Sequence, residues 1–517
     1  VAIALALLFK DVLLSLFAGV FTGALILAGG NPATAFARSI DRFVIEAMTD
    51  KDHVSILVFT TLLGGLVGLI NRSGGTRGIV ERLRGFATDS RRGQLAAWGM
   101  GVMVFFDDYA NALIVGPTMR PISDRLRISR EKLAYIVDST AAPVASIVPL
   151  STWIGFEVGL IAAAFQELEL PFNAFATFVG TIPFRFYPIL ALVAGLTIAV
   201  SGRDFGPMLR AERRARREGK VLADDAQPLA NVSERGQEPP EGAPLRARNA
   251  LLPILTVVAV TLVGLWLTGS ATIADSQASG LARVRDIFAN ANSFQALTWA
   301  SLSGVAAAFV LPIAQRILTL RESTEAMVNG FRSMLLALIV LVLAWSIGSV
   351  CEALQTADYV VGLTQGVLSP HWMPVLTFLV SAGIAFATGT SWGTMGILMP
   401  LVIPIAHGLS LAAGHAVTDP LYYTFQLGTI SSVLAGSVWG DHCSPISDTT
   451  ILSSLSTGCD HIAHVRTQLP YALAVGVVGM AIGDIPTAWG LSPWISLAVG
   501  ALVIVAGLLW LGRRAEA

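Results

Sequence analysis

The chain has 517 residues, of which 54% are hydrophobic and only 13% are charged, and its formal net charge is −1. Because soluble domains carry about 25% charged residues, this composition indicates a membrane protein. The near-zero charge offers no basic surface for nucleic acid. The apolar runs lack the period-two alternation of a transmembrane barrel, so the sequence predicts an all-α polytopic membrane protein.

Apolar segments long enough to cross a bilayer follow one another along the chain, since a span needs about 20 residues. The predicted spans are 11–29, 53–70, 133–163, 173–200, 249–269, 294–314, 333–351, 420–456, 469–488 and 491–511. The segment 202–248 is rich in Arg, Glu, Pro and Gly, and is predicted to be a flexible loop. The chain starts at Val1 with an apolar run too short to span, and the sequence does not establish what precedes it.

Two further apolar stretches, 95–119 and 373–406, do not fit a single crossing. The loops 71–94 and 120–132, on either side of the first stretch, are both rich in arginine and are therefore predicted to be cytoplasmic. The stretch between them is then a re-entrant hairpin with its tip near "FFDDYAN", residues 105–111. The second stretch has no Lys or Arg at either end, as expected for a hairpin that enters from the outer side.

The resulting order of parts occurs twice with opposite orientation. The sequence therefore predicts two inverted-topology repeats, each with a re-entrant hairpin and a broken transmembrane helix, an arrangement typical of secondary transporters. The predicted divisions are a first repeat at 11–200, a polar cytoplasmic loop at 201–248, a linking helix and outer loop at 249–293, a second repeat at 294–490, and a last helix with a cytoplasmic C-terminus at 491–517.

Polar residues at membrane depth concentrate beside the predicted helix breaks at Pro143, Pro149 and Pro445. Proline frees backbone carbonyls, which in a membrane need protein or water around them. The candidate ion- or substrate-binding residues are Asp107, Asp108, Asn111, Asp138, Ser139, Thr140, Ser146, Thr388, Thr390, Ser391, Asp441, Ser444, Ser447, Asp448 and Thr449.

Carboxylates, hydroxyls and freed carbonyls together form an oxygen cage that suits Na⁺, with Asp138 and Asp448 as the predicted Na⁺ ligands. Burial also favours the protonated form of a carboxyl group, so H⁺ and Na⁺ would compete for it. Asp107 or Asp108 and the segment 388–391 are predicted to close the site. Neighbouring residues of a regular helix point about 100° apart, so both acids could line one cavity only at a hairpin tip; otherwise one faces the site and the other binds backbone N–H groups. No catalytic residue and no resident cofactor is predicted; Na⁺ and H⁺ would be the cargo.

Four further residues receive secondary interpretations. Glu157 is assigned to the outer end of its span as a candidate gate, and His442 is interpreted as an interfacial residue with proton transfer as the alternative. His461 and His464 are expected in a solvated inner loop. No arginine stands out within a span, which counts against an anionic substrate.

The stretches 105–155, 386–406 and 436–473, with "FFDDYANALIVG", "ATGTSWGT" and "GDHCSPISDTT", resemble the NhaC-type Na⁺/H⁺ antiporter family of the ion transporter superfamily. The resemblance implies secondary transport, usually of Na⁺ against H⁺, in the plasma (inner) membrane. Because the family also contains Na⁺- and proton-coupled exchangers of organic acids and transporters of amino acids, a coupled carrier of such a solute stays open as the alternative.

Other classes of membrane protein fit less well. An enzyme would need a catalytic pattern such as HExxH or GxSxG, and the sequence has neither. A channel does not need inverted hairpins, which favour alternating access. The expected partners are the lipid bilayer, Na⁺ and H⁺, without nucleic acid; the oligomeric state is open, with a homodimer as one alternative.

Overall fold

The computed structural model describes residues 12–84, 87–149, 151–228, 239–240, 242–272, 291–356, 361–362 and 368–515, with the single positions 1, 5, 8, 283, 287 and 359. This part of the chain is almost entirely helical. One short antiparallel sheet pairs β1 (Arg203–Asp204) with β2 (Arg513–Arg514).

The first half of the chain, up to the polar segment, contains α1 (Val12–Leu27), α2 (Pro32–Arg38), α3 (Ile45–Thr49), α4 (Lys51–Arg72), α5 (Gly75–Arg84), α6 (Ser90–Met103), α7 (Asp108–Arg125), α8 (Arg130–Ser139), α9 (Ala142–Ile147), α10 (Trp153–Glu167), α11 (Ala174–Thr181) and α12 (Phe186–Ser201). A π-helical turn, Ser39–Val44, joins α2 to α3, and a 3₁₀ turn, Ile182–Phe184, follows α11.

The remaining helices are α13 (Gly206–Glu218), α14 (Arg248–Thr272), α15 (Ser293–Ala314), α16 (Leu320–Ser333), α17 (Leu335–Ala353), α18 (Met373–Thr388), α19 (Ser391–Ala412), α20 (Pro420–Cys443), α21 (Asp448–Thr457), α22 (His461–Val478), α23 (Ile485–Ala488) and α24 (Pro493–Leu511). A 3₁₀ turn, Pro370–Trp372, precedes α18, and a π-helical turn, Gly479–Asp484, joins α22 to α23.

Eight helices of the described part are long and apolar enough to cross a membrane, or nine if one bent pair counts as a single span. The bent pair is Ala174–Phe184 with Phe186–Ser201, which meet at 47°. The predicted span 173–200 is therefore bent in its middle, where Pro183 cannot donate a backbone hydrogen bond. Together these helices make the protein a multi-pass membrane protein.

Helix breaks occur in all four polar segments that the sequence singles out. Residues 104–107 separate α6 from α7, and residues 140–141 and 148–152 interrupt the segment from α8 to α10. Residues 389–390 separate α18 from α19, and residues 444–447 separate α20 from α21. Polar side chains and the backbone groups of helix ends are thereby concentrated at these four places.

Each pair of helices joined at such a break packs closely against a break in another segment. A Cβ atom on Gly101 of α6 would lie 1.9 Å from the Thr140 hydroxyl oxygen, at the end of α8. Gly389, between α18 and α19, has a positive φ of +69°, and its Cβ would lie 2.4 Å from the backbone oxygen of Ile446. Only glycine permits these approaches.

The prediction of a flexible loop over 202–248 is wrong for its first part, because residues 206–218 form α13. Arginines occupy the last turn of α13, and Gly219 follows with a φ of +72°, as favoured at a helix C-terminus. Glu212, on its buried face, accepts hydrogen bonds from the Ser129 amide at 2.8 Å and hydroxyl at 2.7 Å. Residues 229–238 and 241 lie outside the described part.

Candidate ion-binding site

Asp138 lies at the C-terminal end of α8 and is buried. Its carboxylate accepts hydrogen bonds from Thr450 Oγ1 at 3.0 Å, Ser453 Oγ at 3.4 Å and Gln468 Nε2 at 2.7 Å. These donors belong to α21 and α22. The Nε2 atoms of His442 and His464 each lie 3.8 Å from Asp138 Oδ2. Three helices of the second half of the chain therefore converge on one acid of the first half.

The first turn of α21 connects Asp138 with two more carboxylates. Asp448 is the first residue of this helix and accepts a hydrogen bond from the Tyr109 hydroxyl. The next residue, Thr449, donates its hydroxyl to Asp441 Oδ2 at 3.1 Å. Thr450 then reaches Asp138. Because a helix N-terminus carries a partial positive charge, this turn favours negative charge around it.

A fourth acid, Asp108, comes from the start of α7. Trp153 Nε1 donates to its Oδ1 at 3.2 Å, whereas its Oδ2 has no hydrogen-bond partner. The acids are close enough to repel one another when ionised: Asp108 is next to Asp107 and Asp448, and Asp441 is next to Asp448 and Asp138. We call these four buried acids, Asp108, Asp138, Asp441 and Asp448, the carboxylate cluster.

The described part of the chain places no lysine or arginine beside the carboxylate cluster, although the imidazoles of His442 and His464 lie beside Asp138. Among the described residues, no Lys or Arg nitrogen lies within 4.0 Å of any of the four acids. Nor does the described part contain three or more His, Cys, Asp or Glu residues in a metal-binding arrangement.

Asp107 and Asp108 make contacts with different residues, in line with their adjacency in sequence. Asp107 Oδ2 accepts a hydrogen bond from Thr152 Oγ1 at 3.1 Å, whereas Asp108 is bound by Trp153. Asn111 connects α7 to α6 and to the end of α8. Its Nδ2 donates to the Gly101 carbonyl at 2.6 Å and to the Thr140 carbonyl at 2.9 Å.

Most of the predicted hydroxyl residues are not hydrogen-bonded to the cluster. Ser139, Thr140, Ser146 and Thr388 donate to carbonyls of their own segments, and Ser444 donates to the Phe386 carbonyl at 2.7 Å. Ser391 is buried and Thr390 half-buried where α19 begins. Ser447 and Thr449 do belong to the cluster's surroundings: their hydroxyls lie 3.0 Å apart, and Ser447 caps the first turn of α21.

The residues that sequence reasoning missed are donors to the predicted acids: Tyr109, Thr450, Ser453 and Gln468. The expectation of a solvated His464 is wrong, because its side chain is fully buried and its Nε2 lies 2.8 Å from Gln468 Oε1. One sequence pattern could have indicated the burial of His464. His464 and Gln468 are four residues apart, so both lie on the face of α22 that meets Asp138.

A buried ion pair corrects two further interpretations. Arg185 lies at the bend between α11 and α12 with its side chain fully buried, so an arginine does occur within a membrane segment. Its Nη1 lies 3.3 Å from Glu157 Oε1 and also donates to the Ser146 carbonyl, while Nη2 donates to Thr181 Oγ1 at 3.1 Å. Glu157 is therefore an interior residue rather than a gate at the outer end.

The far end of α21 is held by Arg130, which is buried at the start of α8. Its guanidinium binds both oxygens of Asp124, at 2.6 Å and 2.7 Å. The same group donates to the Thr457 carbonyl at 2.7 Å and the Gly458 carbonyl at 3.1 Å. A cation at the C-terminal end of a helix complements its dipole, so Arg130 fixes α21 against the helix that carries Asp138.

Residues 144–489 match the sequence model of the Na⁺/H⁺ antiporter family. The chain belongs to this family. The resemblance seen in its motifs is thus confirmed, and the Na⁺/H⁺ antiporter family consists of membrane transporters, so the coarse function is transport across a membrane.

Similar proteins extend this assignment. An uncharacterized protein of Haemophilus influenzae is 33% identical over 98% of this chain and 93% of its own length. The malate-2H⁺/Na⁺-lactate antiporter of Bacillus subtilis is 29% identical over 31% of each chain. Among solved structures, MtrF of Neisseria gonorrhoeae, of a class of antimetabolite efflux pumps, has a TM-score of 0.56 at 14% identity, covering 89% of this chain and 85% of its own. That similarity is one of fold.

Proposed function

We propose that this protein exchanges Na⁺ for H⁺ by letting the two cations compete for the carboxylate cluster, with Asp138 at its centre. The observation that carries the proposal is the excess of buried acids over basic groups. Four carboxylates surround one helix turn, and in the described part none has a Lys or Arg within 4.0 Å. A buried charge without a partner is too costly, so protons or cations must balance these acids.

Competition at one carboxylate is sufficient to couple two opposite fluxes. When Asp138 is ionised, Thr450, Ser453 and Gln468 hold its oxygens in place and Na⁺ binds. When it is protonated, Na⁺ is excluded. The coupling requires that the protein can switch between its outward-open and inward-open conformations only when the site holds Na⁺ or a proton. Each Na⁺ that moves in one direction is then exchanged for protons that move in the other.

The framework of this exchange is a pair of inverted-topology repeats. Two features support it: the order of helix breaks is the same in both halves, and each joined pair, α6–α7 and α18–α19, packs against a break. We place the segment 201–248 and the C-terminus on the cytoplasmic side of the plasma membrane. The arginine content of that segment supports this side, and the pairing of β1 with β2 puts both at one end of the bundle.

The alternative is a Na⁺- or H⁺-coupled carrier of an organic acid or amino acid. Arg185 favours it, because a buried guanidinium is suited to a carboxylate ligand, and the relative from Bacillus subtilis is named for malate and lactate. The guanidinium is already engaged by Glu157, Thr181 and the Ser146 carbonyl, however. Binding an anion there would require these contacts to open, so the present geometry favours cation exchange.

The test is exchange by the purified protein in proteoliposomes. An outward or inward Na⁺ gradient should change the internal pH in the absence of any organic solute, and malate, lactate or amino acids should not increase the rate. A pH response that appears only with one of these solutes would replace this proposal by the carrier.

Two variants with the same chemical change sharpen the assay. Asp138→Asn should abolish the pH response. Asp419→Asn is the matched control, because Asp419 caps the first turn of α20 outside the cluster and asparagine caps a helix equally well. Full activity of Asp138→Asn would contradict the role given to this carboxylate.

A further inference from the structure

Another buried acid, Asp484, lies outside the carboxylate cluster. Asp484 is the last residue of the π-helical turn Gly479–Asp484, within a segment, His461–Ala488, that is long and apolar enough to cross a membrane. Only 3% of Asp484 is exposed. Acids inside membrane segments are costly, and π-helical turns occur frequently at functional sites. Packing alone gives no reason for a carboxyl group at this position.

The hydrogen bonding of Asp484 differs from that of Asp138. Ser432 Oγ, from α20, donates to Asp484 Oδ1 over 3.4 Å, and Oδ2 has no hydrogen-bond partner. Asp138 has three donors and two nearby imidazoles. Asp138 is thus surrounded by groups that stabilise a negative charge, and Asp484 is not. Burial with so few donors disfavours the charged form of a carboxyl group.

Among the described residues that pack around Asp484, none that titrates is placed to share its charge. The helices α18, α23 and α24, which pack against the turn, contain no titratable residue. On α12, Tyr187 is bound to His442 Nδ1 at 2.6 Å, and Arg185, just before this helix, is turned to Glu157. The titratable residues of α20 and α22 lie away from Ser432 and the turn, at Tyr422, Tyr423, Asp441, His442, Cys443, His461, His464, Arg466 and Tyr471.

Polar side chains lie on both sides of Ser432 along α20, away from the cluster at Thr429 and toward it beside Gly436. Thr429 lies one helical turn before Ser432, is fully buried, and its hydroxyl has no hydrogen-bond partner. One turn after Ser432, a Cβ on Gly436 would lie 2.9 Å from the side chain of Ser381, whose hydroxyl is also buried without a partner. Asp441 follows on the same helix, about 14 Å from Ser432 at 1.5 Å per residue. Unpartnered hydroxyls of this kind are suited to bind water.

We propose that Asp484 is a second proton-binding site, separate from the carboxylate cluster, which holds a proton as a neutral acid and exchanges it with water bound along α20. The chemical step is a proton transfer between the carboxyl oxygen and water, with no other bond formed or broken. This inference rests on the proposed function, because Asp484 would pass to or from the cluster the proton that competes with Na⁺ at Asp138.

The test uses Asp484→Asn, which keeps the shape of the neutral acid but cannot take up or release a proton. The matched control is Thr487→Val: Thr487 lies one turn further along, is equally buried, and donates only to carbonyls of its own segment, Gly483 and Asp484. Two fluxes are measured in proteoliposomes. One is isotopic Na⁺/Na⁺ exchange, which needs only the ion site; the other is Na⁺/H⁺ exchange.

Asp484→Asn should retain the wild-type rate of Na⁺/Na⁺ exchange and lose about tenfold or more of its Na⁺/H⁺ exchange, since a positioned acid contributes at least this much to proton transfer. Thr487→Val should retain both. If Asp484→Asn loses neither flux or loses both to the same extent, or if Thr487→Val shows the same selective loss, Asp484 is not a separate proton site.

Infrared difference spectroscopy provides a readout that does not depend on transport. The wild-type protein should show the C=O stretching band of a buried protonated carboxyl group that Asp484→Asn lacks and Thr487→Val retains. Absence of such a band would overturn the inference even in an active antiporter. If the wild type moves no protons against Na⁺ but the band is present and disappears in Asp484→Asn, the proton site stands and the proposed exchange fails.

Discussion

Replacing Asp138 by asparagine removes the charge at the centre of the proposed ion site while changing the side chain very little. Asparagine keeps one carbonyl oxygen for the donors Thr450, Ser453 and Gln468. Of the three hydrogen bonds that Asp138 accepts, the substitution costs about one, or ~1 kcal/mol of the free energy of unfolding. The variant should therefore fold and insert into the membrane.

The larger effect should appear in the response to Na⁺. A ligand that binds only the folded protein stabilises it by about 2.7 kcal/mol at a concentration 100 times its dissociation constant. The wild type should gain stability in this way as NaCl is added, compared with choline chloride at equal ionic strength. Asp138→Asn should gain nothing, because the carboxylate that binds the ion is absent. Asp419→Asn should respond like the wild type.

The measurement is thermal unfolding of the purified protein in detergent over a series of Na⁺ concentrations. It separates binding from transport, so a variant that binds Na⁺ but does not exchange it would be recognised. Equal stabilisation of the wild type and Asp138→Asn by Na⁺ would refute the assignment of Asp138. Failure of Asp138→Asn to fold would show that the carboxylate has a structural role larger than its hydrogen bonds indicate.

Two further predictions concern the packing that supports the site. Gly101→Ala should destabilise the protein by about 1–3 kcal/mol, because its Cβ would lie 1.9 Å from the Thr140 hydroxyl oxygen; Gly99→Ala, on the same helix with open space around its Cβ, should stabilise it by up to about 1 kcal/mol. Arg130→Met should cost about 2–3 kcal/mol, since a buried charged donor to four oxygens is lost, whereas Arg321→Met, at an exposed ion pair, should change nothing.

Both predictions are checked by thermal unfolding of the variants beside their controls. Equal stability of the two glycine variants would mean that α6 can move away from the break after α8, and that the close approach is not required. If Arg130→Met were as stable as Arg321→Met, the contacts of Arg130 to the end of α21 would contribute nothing, and another element would have to hold that helix.

The helix breaks were predictable because their causes are local. Pro445 lies within the break at 444–447 and marks it directly. The breaks at 104–107 and 389–390 contain no proline; they follow from apolar stretches whose flanking loops carry the same charge pattern at both ends, which predicts a hairpin. The adjacent acids Asp107 and Asp108 were predictable as a divided pair only as one of two alternatives, since a hairpin tip would have let both face one site; the structure gives them different partners, Thr152 and Trp153.

The donors to Asp138 were not predictable, because they are 312, 315 and 330 residues away in sequence. A serine or threonine in a membrane helix can donate either to its own helix or across to another, and only the packing decides. Ser139 and Thr140 donate within their helix, whereas Thr450 and Ser453 donate to Asp138. The burial of Arg185 was missed for a related reason: its counter-charge, Glu157, is 28 residues away and on another helix.

The central claim is that Na⁺ and H⁺ occupy the carboxylate cluster one at a time. It is tested most directly by measuring proton release from the detergent-solubilised protein in weakly buffered solution when Na⁺ is added. We predict that Na⁺ binding releases protons from the wild type and from Asp419→Asn, that the amount saturates with Na⁺, and that Asp138→Asn releases none. Saturable Na⁺ binding by the wild type without proton release would contradict the account.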